Sequence, residues 1–168
     1  MTSLLDPVAS AAAAEVRQYL TLSLGEELFA LPIEQVREII EFSALTHIPL
    51  MPEFLRGVLN LRGAVVPVID LAVRFEREPM RIGKRTCIVI VELAQGDSVQ
   101  SLGIMVDTVN AVLDVPLNQV QARPTFGARL RADFIAGILE HQEQFMVVLD
   151  INQVLSLQEL AALVASYA

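Results

Sequence analysis

The chain has 168 residues, 54% of them hydrophobic and only 5% aromatic, no Trp, and a formal net charge of −8. This length makes one large or two small domains, and with so few rings the core must come from Val, Ile and Leu, which leans toward strands. The charge excludes phosphate backbones and anionic lipid as natural partners, and the densest basic cluster, MRIGKR at 80–85, is too short to restore a nucleic-acid reading.

The ends and the hydrophobic runs set the compartment. No stretch reaches the roughly 18 apolar residues of a membrane span. MTSLLDPVAS lacks the basic start of a signal peptide and carries Asp6 and Pro7 where an apolar run should lie. The expectation is a soluble cytoplasmic protein with no direct membrane insertion. Cys87 is the single cysteine, so no disulfide can form within the chain, and TCIVIV predicts a buried, inert thiol.

Residues 1–15 are Ala- and Ser-rich without a clear face and read as a flexible arm. YLTLSL alternates, GEE turns and LFALP resumes, which predicts a hairpin. Pro32 suits the start of a short helix, and VREIIEF reads either as its end or as a strand. HIPLMPEFLRG is irregular, with one helical turn at PEFLRG. GVLNL and AVVPVIDL form two strands around an LRG tip. RTCIVIVEL is a strand and AQGDSVQ a polar hairpin loop, longer than a tight turn. SLGIMVDTVNAVLDV reads as one long strand or as a strand that bends. ARPTFGARLRAD is a loop, and FIAGILEHQEQFMVVLDI a hairpin with a polar tip. INQVL and LQELAALVASYA read as helical, the second with an apolar stripe suited to docking on its own domain.

Two segments repeat. Phe54-x-x-Gly57-Val58-Leu59 matches Phe134-x-x-Gly137-Ile138-Leu139 at an offset of 80, which persists from Val68-Ile69-Asp70 to Val148-Leu149-Asp150. Upstream, EQVREII at 34–40 matches DTVNAVL at 107–113 at an offset of 73. Two matches in the same order argue for a duplicated unit. Each unit holds about five short strands, a size that closes into a small barrel and removes exposed edges. The hairpin tips do not match: Asn60-Leu61-Arg62-Gly63 faces Glu140-His141-Gln142-Glu143. A fold that builds the second tip without Arg or Gly does not need the LRG sequence, which points Arg62 toward a specific role.

Catalytic and metal chemistry finds no constellation. His47 and His141 lack companions at ligand spacing, and HxH, HExxH and CxxC are absent. There is no G-x-S-x-G, no S-x-x-K and no phosphate loop. Glu26 and Glu27 read as solvated turn residues, Asp107 and Asp114 as solvent-facing, and Asp70 and Asp150 as caps of the following turn or helix. No metal, no cofactor and no enzyme activity are expected. An acidic aliphatic chain of this kind fits an adaptor, for which an arginine on a hairpin tip is a natural contact. A small-molecule-binding β-barrel is the competing reading from another class; convergent ionisable groups in a polar pocket would mark it.

FLRGVLNLRGAVVPVIDLAVRF resembles the signature of the CheW family, the coupling proteins of bacterial chemotaxis. YLTLSLGEELFALPIEQVREII, LGIMVDTVNAVLDV and FIAGILEHQEQFMVVLDINQVL agree with it in order, so the resemblance covers about residues 17–157. It implies a mainly β fold of two SH3-like five-stranded barrels packed around a shared core, with short helices and a C-terminal helix. On that basis residues 16–157 form a single domain of two intertwined barrels and 158–168 the C-terminal helix. The resemblance further implies a non-enzymatic scaffold that links chemoreceptors to the histidine kinase CheA by binding the kinase regulatory domain. The cytoplasmic signalling tip of the receptor docks in a groove between the barrels, which recruits the adaptor to membrane-associated arrays. Val36, Glu38, Gly57, Arg62 and Gly63 match family positions implicated in partner binding. Val36 and Gly57 are equally compatible with packing and Glu38 with a solvated face, while Gly137 is the internal counterpart of Gly57. A homologue serving a non-motility chemosensory pathway is the alternative within adaptors.

Overall fold

The computed structural model describes residues 15–95, 97–122 and 130–156. In chain order the elements are β1 (Val16–Leu24), β2 (Glu27–Pro32), β3 (Val36–Glu41), β4 (Leu55–Leu61), β5 (Ala64–Asp70), α1 (Leu71–Arg74), β6 (Cys87–Gln95), β7 (Ser98–Val106), β8 (Thr108–Pro116), β9 (Val120–Gln121), β10 (Ile135–His141), β11 (Gln144–Leu149) and α2 (Ile151–Val154). Short 3-10 turns at Ile33–Gln35, Leu117–Gln119 and Ala132–Phe134 join them. The predicted arm, apart from Glu15, and the predicted C-terminal helix lie outside the described residues.

The strands form two sheets, ordered β3-β6-β7-β5-β4 and β8-β1-β2-β11-β10-β9. Read in that order the sheets correspond strand for strand, and the sequence offsets recur in the hydrogen-bond register. β5 and β7 pair in parallel through Val68↔Gly103, β11 and β2 through Val148↔Ala30. Even the bulges repeat. The ladders skip Arg37 in β3 and Asn110 in β8, 73 residues apart in numbering, and skip Arg56 in β4 and Ala136 in β10, 80 apart. A bulge sharpens strand twist, which suits closure into a small barrel. The second sheet carries a sixth strand where five were expected. That strand, β9, is the segment after β8 that swings round to pair with β10. Its counterpart in the first barrel is a single bridge, Thr46↔Val58.

Closure requires close backbone approach, which accounts for the repeated glycine. A Cβ at Gly57 would lie 2.8 Å from the Thr46 carbonyl oxygen and 2.9 Å from Leu45 Cβ. One at Gly137 would lie 2.7 Å from the Gln121 oxygen and 2.9 Å from Val120 Cγ1. We expect Gly137→Ala and Gly57→Ala each to cost about 1–3 kcal/mol in urea unfolding, because the closing strand must be pushed outward. Wild-type stability of both variants would sink this account.

The barrels are intertwined because the N-terminal hairpin β1–β2 completes the second barrel, while β3, next in the chain, belongs to the first. The largest hydrophobic cluster draws on both, with Leu20, Leu22, Phe29 and Leu31 meeting Ile69, Leu71, Ile88 and Ile104. A smaller cluster of Tyr19, Ala30, Val115, Leu139, Met146 and Val148 fills the second barrel. Alternation in YLTLSL suggests one polar face, yet Thr21 and Ser23 are buried too. The strand lies between two apolar layers, and the bulged β8 satisfies its hydroxyls. Thr21 Oγ1 donates to the Ala111 carbonyl and accepts its N–H, both at 3.1 Å, and Asn110 Nδ2 donates to Ser23 Oγ at 2.8 Å.

Several local expectations change. VREIIEF resolves to a strand, and SLGIMVDTVNAVLDV breaks at Asp107 into strands of different sheets. Asp107 is half-buried, and its carboxylate accepts the Gly25 N–H. PEFLRG is not helical: β4 begins at Leu55. AQGDSVQ is mostly paired strand, with Ala94↔Val99 and Gln95↔Ser98 in register, because an antiparallel ladder satisfies backbone groups that a loop would leave to water. Cys87 is only half-buried. It stands at the first position of β6, next to the exposed residues 81–85, and its thiol donates to the Arg85 carbonyl at 3.2 Å.

Candidate partner-binding site

The LRG tip is a two-residue turn. Leu61 pairs with Ala64, and both intervening residues take positive φ, 53° at Arg62 and 88° at Gly63. That is the type I′ signature, whose twist matches the flanking strands. Asn60 Oδ1 accepts the Gly63 N–H at 2.9 Å and holds the turn from within. The second barrel builds the same turn from Gln142 (φ 52°) and Glu143 (φ 66°), neither of them glycine. The turn shape therefore demands neither an arginine nor a glycine.

Arg62 reaches across to β3. Its Nη1 and Nη2 donate to Oε1 and Oε2 of Glu38 at 2.7 and 3.0 Å. Such parallel two-bond forks fix geometry as well as charge. The Arg62 side chain remains 66% exposed, against 22% for Glu38. The fork thus presents a cation that is oriented yet accessible. Val36, on the same strand before the bulge, packs partly against the core. The structure brings Glu38 and Arg62 into contact and sets Gly63 beside them. Gly57 lies buried further along β4, at the closing seam. No sequence pattern showed that Glu38 and Arg62 form a pair, since 24 positions separate them.

Other features were missed by sequence reading. Val65 and Phe145, equivalent positions beside the two tips, are 65% and 64% exposed. The repeat aligns them, and period-2 alternation could have placed both outside. Glu27 is not a free turn carboxylate. It pairs with Arg77, whose guanidinium lies over the Phe75 ring. This contact borders a groove of about 480 Å³ on the second barrel, lined by Glu26, Leu28, Leu130, Gln144, Phe145 and Val147 among others, with Arg77 reaching it from the segment after α1. Deeper in, Phe75 meets Phe29 and Phe134 at centroid distances of 5.4 and 5.8 Å, and Arg74 Nε donates to the Val154 carbonyl at 2.6 Å. These contacts join the end of α1 to the second barrel. Among the described residues no cluster of three or more His, Cys, Asp or Glu is placed to hold a metal ion, and no helix is long and apolar enough to cross a membrane.

Two interlocked SH3-like barrels, one with an ion-paired hairpin tip and the other with an open groove, define a mainly β protein built on a duplicated barrel. The CheW-like domain model matches residues 18–159, and the chain belongs to that family. It is 34% identical to the chemotaxis protein CheW of Treponema pallidum, covering 87% of this chain and 86% of that one. It is 32% identical to that of Klebsiella aerogenes, covering 86% and 85%. Among solved structures it resembles the scaffolding protein TtCheW from Thermoanaerobacter tengcongensis, with a TM-score of 0.74 and 31% identity over 82% of this chain and 86% of the other.

Proposed function

We propose that this protein is a non-enzymatic cytoplasmic chemotaxis adaptor that couples chemoreceptors to a CheA-type histidine kinase within signalling arrays. Its partners are the regulatory domain of the kinase and the cytoplasmic signalling tip of the receptor. Val36, Glu38, Gly57, Arg62 and Gly63 form the partner-binding region, with Arg62 and Glu38 supplying the exposed contact and Gly57 the closed barrel beneath it.

One observation carries this reading. The two barrels share strand order, bulges and turn geometry, yet only the first places an arginine fork at its tip. A feature that the duplicated fold does not need is the one that distinguishes the surface. The groove beside β2 and β11, lined by both apolar and polar side chains and bordered by the Glu27–Arg77 pair, suits an amphipathic helical hairpin. In a pull-down, the protein should retain both a purified kinase regulatory domain and a receptor signalling-tip fragment. Retention of neither rules the proposal out.

A further inference from the structure

The cations of this acidic chain are unevenly satisfied. Arg123 and Arg129 lie outside the described residues. Arg17, Arg37, Arg56, Arg62, Arg77 and Arg131 each pair with a carboxylate, and buried Arg74 donates to the Val154 carbonyl. Arg81, Lys84 and Arg85 are different. All three side chains are exposed, and none has an acidic partner among the described residues. Glu76 and Glu78 precede them in the same loop, and neither forms a salt bridge with them.

The loop is held at both ends rather than loose. Met80 is buried; its N–H donates to Asp70 Oδ2 at 3.0 Å and its carbonyl accepts Arg56 Nη2 at 3.2 Å. Thr86 is buried as well. Its hydroxyl accepts the Gly83 N–H at 2.8 Å, and its carbonyl accepts the Phe42 N–H at 3.1 Å. Between these anchors RIGKR stands out from the first barrel, with Ile82 49% exposed among the three cations.

We infer that residues 81–85 are a docking site for an acidic, partly apolar segment of a partner protein. Neither Arg62 nor Glu38 belongs to it. The charges meet carboxylates, and Ile82 meets an apolar side chain. A narrow peptide can touch this loop alone. A membrane or a nucleic-acid duplex presents a broad anionic surface, and the rest of the chain, more acidic than the −8 of the whole, would be driven against it. Residues 1–14 and 157–168 are poor occupants, since each stretch holds a single acid, Asp6 and Glu159.

The test measures fluorescence anisotropy with a labelled Glu-Glu-Leu repeat peptide and the full chain. Wild-type protein should bind it saturably, and added salt should weaken the binding. Substituting R81Q, K84Q and R85Q together should weaken it at least about tenfold, and Ile82→Ser by a smaller factor. A Lys-Lys-Leu repeat should not bind. Equal affinity of wild type and the triple variant overturns the inference. So does tighter binding to phosphatidylserine vesicles or duplex DNA than to the acidic peptide, or salt-sensitive self-association that the triple variant abolishes. Matching thermal melts show that the variants fold, as expected for exposed side chains. Neither kinase nor receptor enters the assay, so its outcome is independent of the adaptor reading.

Discussion

Asp70→Ala should destabilise the protein by about 3–5 kcal/mol, the usual cost of stranding one partner of a buried ion pair. Asp70 is fully buried. Its Oδ1 accepts the N–H groups of Ala72 and Val73, capping α1. Its Oδ2 accepts Arg56 Nη1 at 2.6 Å and the Met80 N–H at 3.0 Å. Alanine leaves three backbone N–H groups and the guanidinium without this acceptor. Asparagine is no remedy, because its amide would turn N–H groups toward two donors. Asp150, the repeat equivalent, accepts among the described residues only the Gln153 N–H, and Ala136 stands where the first barrel has Arg56. Asp150→Ala should therefore cost only about 1 kcal/mol, as for an ordinary cap. In thermal melts the first variant should fall by on the order of 10 °C and the second by a few degrees. Equal losses would show that the Arg56 pair adds nothing.

Arg62→Ala should abolish partner binding while leaving the melt nearly unchanged. Exposed ion pairs contribute about 0–1 kcal/mol to stability, and the Arg62 side chain is mostly exposed. Arginine anchors at interfaces commonly carry 2 kcal/mol or more, so the loss should be about thirtyfold or greater. Calorimetric titration against the kinase regulatory domain and the receptor tip reads it directly. A large fall in melting temperature would instead make the fork with Glu38 a structural strut, and unchanged affinity for both partners would remove Arg62 from the interface.

Local chemistry made much of the fold legible. Alternation announced β1, β2, β10 and β11, and the repeat at offsets of 73 and 80 announced two like units before any strand was paired. The family signature supplied the barrel type and the site residues. Signals failed where the outcome depended on what lay across the barrel. The polar run AQGDSVQ reads as loop because composition cannot see a ladder that pairs Gln95 with Ser98. Cys87 reads as buried because the residues after it are apolar, although it opens β6 beside the exposed residues 81–85 and is only half-buried. Gly57 matched a partner-binding position, and the structure adds a packing reason at the seam where the barrel closes.

By itself the sequence determined that the chain is β-rich, acidic and duplicated, and that the duplication spares the hairpin tip. These are properties of residue order, and periodicity and internal comparison expose them. Only the tertiary structure decided that the N-terminal hairpin belongs to the far barrel, that both faces of β1 are buried from Tyr19 to Leu24, and that Glu38 and Arg62 are partners. Strand pairing joins residues of any separation, and its register follows from burying two faces at once. That condition becomes visible only when both barrels are in place.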